Sequence, residues 1–232
     1  MTDGFEQTEF DVDHLRAHNV LRSLQAFAAE AQRRHAVKSL KRVARNPSHQ
    51  FKGGYVDQAP EYFTEQHLIQ PVLEELALDP WPRPVALVKD ERNRPDYRLQ
   101  QVAPNCLAIA ESKALNRERN HSVGSEDVDK YLRDETFLKT LRREEVRYSV
   151  GVATDGLEWR LIARDIKEGV QTEVGGCSLA DPLEMVLEKA HSETDPAEDW
   201  MPDARHRVAD TLVANFSREN LLRTAVKGLD SL

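Results

Sequence analysis

The chain has 232 residues, 40% of them hydrophobic and 31% charged, with a formal net charge of −8. That length supports one substantial core with helical extensions, and no apolar run approaches the roughly 20 residues that a membrane span needs. Two cysteines, Cys106 and Cys177, are too few for a disulfide framework and lack zinc-ligand spacing.

The N-terminus lacks the basic and apolar regions of a secretory signal, so the expected setting is the reducing cytoplasm. An acidic total argues against indiscriminate nucleic-acid binding, but the charge is segregated. No acid occurs from Ala31 to Val56, where Arg33, Arg34, Lys38, Lys41, Arg42, Arg45 and Lys52 all fall.

In chain order, Asp11 to about Arg45 reads as one long helix or two shorter ones. Leu15, Val20, Leu21, Leu24, Phe27, Ala28 and Ala31 recur at three- and four-residue steps. The basic half of this segment is either a solvated face or a surface for phosphates. Gly53-Gly54 marks a loop, and Ala59-Pro60-Glu61 opens a helix that runs to about Leu78. Leu68, Ile69, Val72, Leu73 and Leu76 form its apolar face, with Glu61 and Glu65 on or beside it. Pro71 inside this pattern implies a kink or a join.

Trp81-Pro82-Arg83-Pro84 is expected as a connector and Val85–Val88 as a strand. Asp96–Val102 and Cys106–Lys113 complete an antiparallel meander. A helix from about Glu126 to Arg143 then leads to a strand over 148–153. Asp155-Gly156 joins this strand to the next as a hairpin. The crossover helix lets the strand over 148–153 run parallel to the one ending at Lys113. Gly175-Gly176 reads as a loop, Asp181-Pro182 opens a helix to about Lys189, and 191–199 reads as a polar linker. A final helix is expected from Asp203 to about Lys227. The fold class implied is α/β, an α+β mixed sheet. The organisation is a helical extension over 1–54, a core over 55–170 and a helical extension over 171–232.

The chemistry concentrates in Pro95-Asp96 and Glu111-Ser112-Lys113, a P-D…E-x-K spacing. On a strand, Glu111 and Lys113 share a face, and Asp96 on the neighbouring strand can join them. Phosphodiester hydrolysis needs a hard cation to neutralise the scissile phosphate and acidify an attacking water. Magnesium accepts a few protein oxygens and keeps several waters. Asp96, Glu111 and the Ser112 backbone carbonyl are the candidate metal ligands, with manganese as an alternative cation. Lys113 is the candidate for stabilising the transition-state charge. Glu61, or alternatively Glu65, adds a further acid.

Together with Leu68–Leu76 and Ala153–Leu161, these motifs resemble the N-terminal nuclease domain of type I restriction enzyme R subunits, within the PD-(D/E)xK superfamily. The resemblance covers about Tyr55 to Arg164. It implies a restriction-endonuclease-like αβββαββ core and magnesium-dependent DNA cleavage with Asp96, Glu111 and Lys113 as the catalytic set. Its helix glutamate falls at Glu61, with Glu65 as the alternative. Many relatives carry Gln-x-x-x-Tyr on the helix after the lysine strand. Here Tyr131 is present and Asp127 stands where the glutamine would be. Candidate DNA contacts are Tyr131, Lys130, Arg117, Arg119 and Arg42. No Gly-x-x-x-x-Gly-Lys-[Ser/Thr] loop occurs in the sequence, so neither an ATP site nor a translocase motor is expected. The expected partner is DNA. Other restriction, defence or repair subunits and a homodimer remain open, and no membrane partner is expected.

Overall fold

A computed structural model describes residues 9–46, 48–84, 94–116, 123–143, 145–189 and 202–232. The N-terminal stripe forms two helices, α1 (Glu9–Arg33) and α2 (Val37–Arg45), separated at His35, whose φ is +57°. Val20, Leu24, Phe27 and Ala31 are fully buried, while Leu15, expected in the same stripe, is 55% exposed.

Pro60 starts α3 (Pro60–Thr64), which continues through a π-helical stretch, Glu65–Ile69, into α4 (Gln70–Glu75). The Gln70 N–H bonds to the Glu65 carbonyl, five residues back. The disturbance expected from Pro71 thus takes the form of a widened turn just before it. Without an N–H, proline cannot donate to the ordinary helical ladder.

The sheet comprises β1 (Pro80–Pro82), β2 (Tyr97–Ala103), β3 (Cys106–Ser112), β4 (Tyr148–Thr154), β5 (Glu158–Asp165) and β6 (Val170–Ser178), hydrogen-bonded in that order. β3 and β4 are parallel and every other pair is antiparallel. The protein is therefore a mixed α/β fold on a six-stranded mixed sheet, with the expected antiparallel β2–β3 pair, parallel crossover and β4–β5 hairpin.

Two departures concern the sheet margins. Pro80–Pro82, which overlaps the expected connector Trp81–Pro84, is an edge strand, where prolines are tolerated because one side of the strand has no ladder to break. The strand expected at Val85–Val88 lies outside the described residues. Gly175-Gly176, expected as a loop, lies within β6, paired to β5. Its glycines and polar residues show none of the alternation that reveals a half-buried strand.

The crossover is two helices rather than one, α5 (Ser125–Arg133) and α6 (Glu135–Arg143). Asp134 breaks the run and caps the second helix by accepting the Phe137 N–H at 2.9 Å. On the C-terminal side lie α7 (Ala180–Lys189) and α8 (Pro202–Val208). A π-helical stretch, Ala209–Val213, leads from α8 into α9 (Ala214–Phe216), and α10 (Arg218–Leu229) follows. The expected single final helix is interrupted at Ser217, whose backbone is extended. The linker expected at 191–199 lies outside the described residues.

Helices cover both sheet faces. Leu107, Ile109, Ala153 and Ile162 pack with Val128, Leu132, Phe137, Leu138 and Leu141 of α5 and α6. Ala108, Ala110, Val150, Val152, Trp159 and Leu161 face the opposite core, which includes Leu24, Phe27, Leu73, Leu183 and Phe216. Apolar contacts thus run across the boundaries drawn at 54/55 and 170/171. Among the described residues, no helix is long and apolar enough to cross a membrane.

Candidate functional site

The strand register gathers the motif. Tyr97 pairs with Ala110, so one further step along the same antiparallel ladder brings Asp96 level with Glu111. On the other side Glu111 pairs with Ala153 and Ser112 with Thr154. The Lys113 N–H continues that ladder to the Thr154 carbonyl at 2.9 Å. Strand alternation puts Glu111 on the face of Leu107 and Ile109, beneath α5.

Asp96 is held by Ser112. One carboxylate oxygen, Oδ2, accepts the Ser112 N–H at 2.8 Å and the Ser112 hydroxyl at 2.7 Å. The Tyr131 hydroxyl donates to the Arg94 carbonyl at 2.9 Å, fixing the entry to Pro95-Asp96 from α5. Tyr131, a sequence candidate for DNA contact, therefore spends its donor on the chain's own motif.

Glu111 is only 6% exposed. Its Oε1 accepts from Lys113 Nζ at 2.8 Å, while its Oε2 is buried with no hydrogen-bond partner among the described residues. Burial, then the charge of Asp96, raise its pKa to about 7 despite the pull of Lys113. Lys113 also bonds to Asp127 Oδ2 at 2.9 Å. Burial alone would lower the lysine, but its two carboxylate partners outweigh burial and hold it above its ordinary pKa. Burial likewise works against Asp127, yet the Lys113 bond leaves that carboxyl below its usual range.

Asp127 sits in the first turn of α5, whose N-cap, Gly124, has φ +92°. A side chain there would meet Glu111 Cγ at 3.1 Å and Lys113 Cε at 3.3 Å. Only a glycine combines that backbone with so close an approach. Gly124 is a site-building residue that the motif spacing did not reveal, and Asp127, placed by that spacing only at the glutamine position, is a second through its bond to Lys113. The available signal was the four-residue step from Asp127 to Tyr131, which puts both on one face of α5.

Of the helix acids, Glu65 lies within reach of the charge of Asp96. Burial raises its pKa, a hydrogen bond from Tyr97 opposes this, and the charges of Asp96 and Glu61 add to the rise. Tyr97 is raised in turn by burial and by Glu65. Glu61 is half-buried in the first turn of α3. Lys130 is exposed, with its Nζ 3.4 Å from Asp127. Arg42 is exposed on α2. Arg117 and Arg119 lie outside the described residues.

The donor set suits a small hard cation. A buried, unpartnered carboxylate oxygen lies beside a second carboxylate whose other oxygen is already anchored, and magnesium completes its shell with water. Among the described residues no group of three or more His, Cys, Asp and Glu side chains converges as a metal site. The fit therefore rests on the two carboxylates, Asp96 and Glu111. No protein-family model, no curated protein and no solved structure matches the chain.

Proposed function

We propose that the protein is a magnesium-dependent DNA endonuclease whose site is Asp96, Glu111 and Lys113, with Glu65 as the accompanying helix acid. The observation that carries this reading is Glu111, buried between Asp96 and Lys113 at the end of β3 with one oxygen that has no partner among the described residues. A buried carboxylate in that state is costly unless a cation or substrate completes it. The resemblance to R-subunit nuclease domains, and the order of α3–α4, β1–β3, α5–α6 and β4–β5, support a restriction-endonuclease-like core in a cytoplasmic protein.

In this mechanism Ser112 aims the Asp96 carboxylate through two hydrogen bonds. Glu111 presents Oε2, and Asp127 holds the Lys113 ammonium charged beside it. That ammonium stabilises negative charge growing on the scissile phosphate. Bound magnesium supplies charge neutralisation and acidifies a water.

One observation favours a second reading, a catalytically silent nucleic-acid-binding or interaction module. Lys113 is engaged by both Glu111 and Asp127, which neutralise it locally. Wild type and Lys113→Ala, each tested on linear, supercoiled, single-stranded and branched DNA with magnesium or manganese, separate the two. The nuclease reading expects cleavage by wild type and none by the variant. Equal cleavage by both, or none by either alongside salt-dependent DNA binding, refutes it.

A further inference from the structure

The second half of the N-terminal helical region carries charge that the site does not use. Lys38, Lys41, Arg42 and Arg45 recur at three- and four-residue steps along α2, while Leu40, Val43 and Ala44 on its other face are buried. One end of this stripe is neutralised within the fold. Arg45 bonds to Glu184 at 2.5 Å and to Glu188 at 3.2 Å, which fastens α2 to α7. Upstream, Arg33 and Arg34 both pair with Glu30. Between these anchors, Lys38, Lys41 and Arg42 have no ion pair among the described residues, and neither does the exposed Lys52. In a chain of net charge −8, a run of cations without ion pairs among the described residues, set beside paired ones, has the charge complementary to an anion.

Its position follows from two hydrogen bonds. The Asn116 side chain donates to the Val43 carbonyl of α2 at 2.9 Å. The Phe51 N–H, next to Lys52, donates to the Leu115 carbonyl at 3.4 Å. Both cationic segments are thus fastened to residues 115 and 116, immediately downstream of Lys113. Asn116 is itself fixed by its N–H to Asp155 at 2.8 Å, so the cations have a set place relative to the end of β3.

We propose that Lys38, Lys41 and Arg42 of α2, with Lys52, hold the phosphate backbone of duplex DNA alongside the site, without reading its sequence. Identification of the anion as DNA rests on the nuclease reading. The surface itself acts through charge alone and needs neither a metal nor catalysis. Phosphate contacts release counterions, so each one steepens the fall of affinity with salt by about 0.9 in log–log slope.

The test is fluorescence anisotropy on a mixed-sequence duplex in EDTA, across a salt series. It compares wild type, the triple variant Lys38→Gln/Lys41→Gln/Arg42→Gln, and Lys52→Gln, which lies off the helix and keeps α2 intact. The expected slope is shallower than wild type by about 2.7 for the triple variant and about 0.9 for Lys52→Gln. Slopes equal to wild type in both variants, or no binding by wild type, overturn the proposal. So does tighter retention of wild type on phosphatidylserine vesicles than on the duplex. Because EDTA prevents cleavage, a positive result stands even if the chain proves inactive. Equal slopes alongside Lys113-dependent cleavage would remove the phosphate surface and leave the nuclease reading intact.

Discussion

Glu111→Gln is expected to stabilise the protein at pH 8, against the usual outcome for a change at a hydrogen-bonded buried position. The folded environment raises the carboxyl from 4.5 to about 7, with burial as the main cause. At about 1.4 kcal/mol per pKa unit, ionised Glu111 opposes folding by about 3 kcal/mol, net of the attraction to Lys113. The sign follows from proton binding. Between pH 4.5 and 7 the folded chain holds this proton more firmly than the unfolded chain, so wild-type stability falls as pH rises through that window. Below pH 4.5 the carboxyl is neutral in both states and the penalty is absent; above pH 7 it is fully developed. The neutral amide never incurs it. Urea unfolding of both proteins in EDTA from pH 4 to 8 should therefore give a stability difference near zero at the acid end. The difference should rise to about 3 kcal/mol in favour of the variant at pH 8. A variant less stable than wild type at pH 8, or a difference that does not change with pH, refutes the assignment of Glu111 as a strained, desolvated carboxylate.

Three further outcomes test how the site is held. Tyr131→Phe removes the donor to the Arg94 carbonyl; it should lower stability by about 1 kcal/mol in urea unfolding and reduce cleavage through displacement of Asp96, with duplex affinity unchanged. Asp155→Ala leaves the N–H groups of Asn116, Leu157 and Glu158 without their shared acceptor. Thermal and urea unfolding should register a loss of about 3 kcal/mol or more, since these groups are inside the fold. Gly124→Ala combines a left-handed backbone with contact against Glu111 and Lys113. It should destabilise by about 1–2 kcal/mol and lower the cleavage rate more than Tyr131→Phe does.

The parts of this architecture legible in the sequence are those written in local periodicity. The Asp96 and Glu111-x-Lys113 strands, the Asp155-Gly156 hairpin and the parallel crossover all follow from alternation, turn chemistry and connection length. The parts hidden from it depend on partners distant in sequence or on backbone geometry. β6 carries two glycines and no alternating apolar face, so its pairing to β5 had no local signature. The Pro80–Pro82 edge strand combines residues that ordinarily argue against a strand. Asp127 grips Lys113 from a different element, across a close approach that depends on the positive φ of Gly124. The burial of Glu65 and its exposure to the charge of Asp96 likewise depend on packing around the π-helical turn, which helical periodicity does not encode.

The central claim is that Asp96 and Glu111 together hold a divalent cation beside Lys113. Electron paramagnetic resonance of Mn2+ titrated into wild type, Asp96→Asn, Glu111→Gln and Lys113→Ala at pH 8 tests it without requiring a DNA substrate. The account predicts saturable binding by wild type and Lys113→Ala, and its loss in Asp96→Asn and in the fully folded Glu111→Gln. Binding that is absent in wild type, or equal in all four proteins, would contradict it.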